Sequence, residues 1–208
     1  MLHLRSVRRL LTVLAVLAAS SACGDIVRQG RSPVVLVMEA VEGASGASTK
    51  LTFNTVLFSD VITNVTSPAP CAAESPCPTV FADSGRAIFH LQSKNVTIEP
   101  SANNQVTITR VRIVYRRTDG RNTPGIDVPF AFDQGITVTV PPTDSVNVPF
   151  ELVRHVAKAE PPLVQLITNP NIIHAIADIT FYGTDLVGND ISATGSVSIE
   201  FGNFGDER

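Results

Sequence analysis

The chain predicts an all-β fold, an antiparallel β-sandwich of about seven to nine strands with one short helix. Three observations carry that expectation. Val, Ile and Thr are abundant beyond the first two dozen residues, and these types suit a pleated, half-buried surface. Short apolar or alternating runs recur at intervals set by Gly, Pro, Asn and Asp, the spacing of a sandwich or barrel. No long helical periodicity separates those runs. At 208 residues, 44% hydrophobic and 17% charged, the composition is that of a globular chain. With no Trp, the 10 Phe and the β-branched aliphatics must fill the core.

Residues 1–22 read as a leader. Met1 to Arg9 is short and basic, Leu10 to Ala18 is apolar, and Ala19-Ser20-Ser21-Ala22 is a small-residue stretch ending at Cys23. An apolar run of about nine residues is too short to span a bilayer core of about 30 Å, and has the proportions of a secretory signal peptide. Without Arg5, Arg8 and Arg9, the basic count falls from 16 to 13 against 19 acidic residues. That acidic balance argues against nucleic acid as a partner.

Small residues running directly into a cysteine resemble the lipobox of bacterial lipoproteins. The resemblance implies cleavage before Cys23, a thioether-linked diacylglycerol and an N-acyl chain (palmitate-type) on that cysteine, and attachment to a membrane of the cell envelope. Ser20 stands where the family favours an aliphatic residue. Read without the resemblance, the leader is an ordinary signal peptide cut after Ala22, with Cys23 a free thiol. Three cysteines leave one unpaired in an exported chain. Lipidation of Cys23 leaves Cys71 and Cys77 to form a disulfide in an oxidising compartment. Gly24 follows the cysteine where the family's inner-membrane retention signal has Asp, which points to the outer membrane where a cell has one. The expected organisation is a signal peptide over 1–22, a lipidated tether over 23–32 and a single sandwich domain over 33–204.

Pro33 opens the first strand, Val34 to Val41, and residues 42–49 read as a flexible connector without the Gly-Lys-Ser/Thr of a phosphate loop. Residues 50–58 predict a second strand buried on both faces. Residues 66–78 hold Pro68, Pro70, Pro76 and Pro78 and predict a stiff loop outside regular structure. Further strands are predicted over Arg86–Ser93, Val106–Arg117, Ile136–Val140, Val146–Val153, Ala175–Gly183 and Ile191–Phe201. Pro161 and Pro162 place a short helix over Pro162–Thr168, crossing between the sheets.

The last two strands give the clearest local pattern. Gly195, Val197, Ile199 and Phe201 alternate with Thr194, Ser196, Ser198 and Glu200, a period of two that buries one face. With the preceding Gly183-Thr184-Asp185-Leu186-Val187-Gly188-Asn189 turn, this segment resembles the closing hairpin of bacterial immunoglobulin-like and fibronectin type III-like domains. The resemblance covers about 27 residues and implies an immunoglobulin-like sandwich that binds, spaces or presents.

Candidate chemistry is sparse. No Gly-X-Ser-X-Gly elbow occurs, and His90, His155 and His174 are scattered, so a Ser-His-Asp site has no nucleophile with a base in reach. Asp119, Asp127, Asp133 and Asp144 sit where Asp is an ordinary turn residue. Asp185, Asn189 and Asp190 offer oxygen atoms to calcium, but hairpin chemistry explains them equally. Arg110, Arg112 and Arg116 share one face of a strand whose other face carries Val111, Ile113 and Tyr115. They form either a solvated face that discourages edge pairing or a candidate anion-binding strip. Val106, Ile108 and Val114 fall on the arginine face by simple alternation. The sequence thus predicts a membrane-anchored, non-enzymatic interaction module without a cofactor, binding an envelope protein, or alternatively a small-ligand or glycan-binding lipoprotein.

Overall fold

Alternation of side chains decides which face of each strand meets the core. In the computed structural model, which describes residues 30–48 and 50–204, the segment Asp83–Ser93 shows this most cleanly. Asp83, Gly85, Ala87, Phe89 and Leu91 are buried, and the residues between them are half-exposed. Among the described residues ten strands are present in chain order: β1 (Val34–Ala44), β2 (Val56–Asp60), β3 (Thr63–Val65), β4 (Cys77–Thr79), β5 (Asp83–Ser93), β6 (Val106–Arg117), β7 (Phe132–Val140), β8 (Val146–Val153), β9 (Ile173–Asp185) and β10 (Asp190–Gly202). One sheet runs β1-β5-β8, a second runs β2-β10-β9-β6-β7, and β3 and β4 form a small ribbon. The two main sheets bury their inner faces against each other. The Phe181 ring of β9 meets Phe89 and Phe150 of the opposite sheet edge-on, with centroids 4.9 and 5.3 Å apart. The fold is an all-β sandwich. All pairings within its sheets are antiparallel except that of β2, which runs parallel to β10.

Three bulges adjust the alternation. The β6 register slips between Ile108 and Arg110, so Thr109 is an extra residue and the inward parity changes from even to odd. Val106 and Ile108 are therefore buried with Val111, Ile113 and Tyr115. This corrects the expectation that Val106 and Ile108 share the arginine face; Val114 alone remains there, exposed. A second slip, between Met38 and Ala40 of β1, turns Glu39 outward, and Met38 and Val41 both pack against the core. The third lies where Asp83 pairs with Val153 but Ser84 pairs with Glu151. The extra residue, Leu152, has its carbonyl satisfied by the buried Tyr115 hydroxyl at 2.7 Å. Burial pushes that phenol's pKa well above its ordinary value, and it stays a hydrogen-bond donor.

The strand expected over 50–58 is shorter and displaced. Only Val56–Asp60 forms β2, and Leu51, Val56 and Phe58 are exposed. The cause is topological. After β1 the chain leaves the three-stranded sheet through a Gly43–Asn54 bridge, with N–H to O distances of 2.8 and 2.9 Å. It then joins the five-stranded sheet as an edge strand, which has only one buried face. The proline-rich segment is irregular as expected up to Pro76, but Cys77–Thr79 pairs with Thr63–Val65. The short helix expected over Pro162–Thr168 is present as a 3-10 turn at Leu163–Ile167, flanked by Pro162 and Thr168, and a four-residue α1 (His155–Lys158) precedes it. Leu163 and Leu166 of that turn are buried between the sheets' ends.

The end of α1 inserts a charge into the core. Lys158 has no exposed surface, and its ammonium donates to the Asp83 carboxylate at 2.9 Å and to the Asp60 carbonyl at 2.8 Å. Asp83 also accepts from the Ser59 hydroxyl at 2.6 Å and the Gly46 amide at 3.0 Å. A Cβ at position 46 would overlap the Ala82 carbonyl oxygen, so glycine permits this approach. Burial pushes the Asp83 carboxyl above the usual carboxylate range, while Lys158, Ser59 and Gly46 pull it back. Lys158→Met strands a buried carboxylate and is expected to cost about 3–5 kcal/mol. Asp83→Asn combined with Lys158→Met removes that unpaired charge and should cost less than Lys158→Met alone. Urea unfolding of both variants measures this, and equal losses would contradict it.

Candidate functional site

The surface richest in chemistry is the outer face of the five-stranded sheet, and its layout follows from strand register. Across β10, β9, β6 and β7, one row reads Thr194, Thr180, Arg112, Asp133. The next row towards the β9–β10 hairpin reads Ser192, Tyr182, Arg110, Gly135. Towards the other end, Val56, Ser198, Ile176 and Arg116 form a row, followed by Phe58, Glu200 and His174. Side chains two residues apart on a strand share a face, so these rows form one outward surface.

Arg110, Arg112 and Arg116 are exposed on this face, but each is engaged. Arg112 meets Asp133 at 2.7 Å, and Arg110 approaches the same carboxylate at 3.8 Å while its guanidinium lies 4.0 Å over the Tyr182 ring. Arg116 binds Asp178 at 2.6 Å, and that carboxylate raises the guanidinium's pKa. The adjoining turn repeats the device. Arg117 and Arg121 both donate to Asp119, holding its carboxyl far below the usual range. Exposed pairs of this kind contribute little stability. They offset much of the strip's positive charge, two carboxylates against three guanidinium groups, so the face is a lattice of interleaved charges in place of a free cationic groove.

Other candidate residues disperse. Cys23 and the rest of the leader lie outside the described residues. Cys71 and Cys77 are disulfide-bonded. His90 pairs with Glu39 at 2.7 Å and His174 with Glu200 at 3.4 Å, on different sheets. Among the described residues, no three His, Cys, Asp or Glu side chains are grouped to hold a metal. The carboxylate of Asp185 is occupied within its own turn by the Val187 amide at 3.1 Å and by the Asn189 amide and side chain, both at 2.8 Å. Sequence reasoning missed the Ser59, Asp83 and Lys158 cluster. It combines a hydroxyl, a carboxylate and an amine, but all three are sealed from solvent, so no substrate reaches them.

Two apolar regions complete the surface. At the end where β9 begins and β10 finishes, Phe58 stands 55% exposed with the Phe204 ring edge-on at 5.8 Å, and Val56 and Ile172 are exposed beside it. By register, the β6–β7 loop lies at this same end and exposes Ile126 and Phe130. At the opposite end, a cleft of about 280 Å³ is lined by Gly30, Val34, Val35, Leu36, Lys94, Ile191 and Ser192. It has no aromatic wall and few converging polar groups, unlike a small-molecule site.

Two measurements check this description. Replacing Asp133 and Asp178 by Asn should leave all three guanidinium groups of the strip uncompensated. Retention on a phosphate-bearing resin should appear in that variant and weaken with salt, while wild type elutes unretained. For Asp185, burial pushes the carboxyl up, but the donors from Asn189, Val187 and Ser32 outweigh it and its pKa is lowered. Its contribution to stability is therefore complete above the unfolded value of about 3.9 and is lost as pH falls through the lower folded value. An NMR titration of the Val187 and Asn189 amides should show a midpoint below that unfolded value.

No protein-family model matches this chain, and no curated protein matches it in sequence.

Proposed function

We propose that the chain is an extracytoplasmic lipoprotein, held in the cell envelope through lipid on Cys23, whose immunoglobulin-like sandwich acts as a non-enzymatic interaction module for another envelope protein. The observation that supports partner binding most is the apolar end formed by Phe58, Phe204, Ile172, Ile126 and Phe130. Large apolar side chains exposed at one end of a sandwich, here on the β2 edge and on the β6–β7 loop across the sheet from it, are the usual mark of a protein-contact surface. The strand order supports the immunoglobulin-like reading, because β2 leaves one sheet and runs parallel to β10 at the edge of the other. The leader and the odd cysteine support the anchor. The charge-paired sheet face and the small aliphatic cleft favour a protein partner over a glycan or small ligand.

The test combines anchoring and contact in intact envelopes. Wild type should incorporate labelled fatty acid and sediment with membranes, and Cys23→Ser should do neither. A photo-crosslinking residue at Phe58 should give one discrete adduct in envelopes, whereas the same residue at Thr194, exposed on the outer face of β10, should give none. Unlabelled wild type would overturn the anchor. Equal or absent crosslinking from both positions would overturn the contact surface.

A further inference from the structure

We infer that the end of the sandwich where the N-terminal segment enters is a membrane-contact surface, seated on the lipid bilayer by the tips of the β5–β6 loop and the β9–β10 hairpin. The inference rests on the lipid anchor proposed for Cys23 and adds an orientation and a second, non-covalent contact.

The chain enters the domain at this end. Gly30 lines the cleft beside Lys94, Ile191 and Ser192, and the Lys94 amide binds the Pro33 carbonyl at 3.0 Å. Ser32, expected in the free tether, is buried and its hydroxyl bonds Asp185. The incoming chain is thus fixed between the β5–β6 loop and the β9–β10 hairpin. Gly30 follows Cys23 by seven positions, and such a segment reaches at most about 25 Å in any conformation. β9, at 13 residues, spans about 43 Å. A lipid on Cys23 therefore keeps this end within about 25 Å of the bilayer, while the Phe58 end lies a full strand length further along the domain.

The loops at this end expose aliphatic side chains at their tips. Val96 is 89% exposed, Ile98 60%, Leu186 55% and Val187 81%. Both tips are held in shape from behind. Asp185 binds the amides of Val187 and Asn189, and Gly188 supplies the positive φ of 83° that closes the turn. Asn95 accepts from the Thr97 amide at 3.1 Å, and its carbonyl accepts from the Ile98 amide at 3.0 Å. Apolar tips on pre-formed turns can enter the headgroup and acyl boundary without an ordering cost. Arg31 and Lys94 share this end with Glu99 and Asp190, so apolar insertion, and not net charge, is the attraction.

Wild type contains no Trp, so a single introduced Trp reports without background. Full-length lipidated protein bearing Val187→Trp or Val96→Trp is placed in phosphatidylethanolamine and phosphatidylglycerol vesicles whose acyl chains are brominated near the headgroup. Fluorescence at both positions should fall by roughly half or more if the tips lie 5–10 Å into the boundary. Ile126→Trp, at the far end, should be unchanged, and high salt should not relieve the quenching. Protein that floats with vesicles while Val187→Trp and Val96→Trp stay unquenched overturns the contact and leaves the anchor standing. A blue-shifted but unquenched Trp overturns it likewise and assigns the tips to a protein cover. Protein that neither floats nor carries lipid overturns the anchor and the contact together.

Discussion

Lys158 carries its charge to a point where none of its side chain meets water, and the fold closes around that fact. An isolated ammonium in an apolar interior would be prohibitively costly, so its partners must be in place whenever the native state is. Its direct partners are the Asp83 carboxylate, which opens β5, and the Asp60 carbonyl, which ends β2, while Ser59 of β2 and Gly46 of the β1–β2 connection donate to Asp83. The ion pair thus fixes the two strands that belong to different sheets at one height. Replacing such a pair with hydrocarbon is often neutral for stability. Its effect here is to exclude arrangements in which β2 slides against β10 or the connection closes differently.

Much of the sandwich is legible in the sequence because its signals are local. β10 alternates strictly, and Val197, Ile199 and Phe201 are buried while Ser196 and Ser198 face outward. β8 lies where its alternation places it, and the disulfide joins the cysteines that remain once Cys23 is set aside. What escaped has a physical reason in each case. A bulge changes parity by one residue and leaves no compositional mark, which is why Val106 and Ile108 were assigned to the wrong face. β2 looks doubly buried because its alternate positions are apolar on both sides, yet its outer residues serve the exposed edge. Lys158 and Asp83 are 75 residues apart, and no window short enough to show periodicity contains both.

The arginine strip shows how far composition alone misleads about surface charge. Three guanidinium groups on one strand face suggest a strong positive field. Asp133 stands directly opposite Arg112 and Asp178 lies diagonally across from Arg116 on the neighbouring strand, and only pairing the strands reveals them. Cross-strand opposite charges fix strand alignment and keep an exposed face from pairing with another sheet. The distinctive residues lie instead at the two ends of the sandwich, where loops and edges escape the demands of alternation.

The strand axes also set the molecule's mechanical behaviour. The N-terminal segment enters at the Val34 end of β1, and the Phe58 corner lies at the Gly202 end of β10, so the two points are separated along the strands. Tension between them runs parallel to β1, β5 and β10 and loads their ladders lengthwise. In that direction many hydrogen bonds must break together, whereas a pull across the sheet would open them one by one. The domain is therefore built as a stiff strut between its two ends, able to transmit load before any strand detaches.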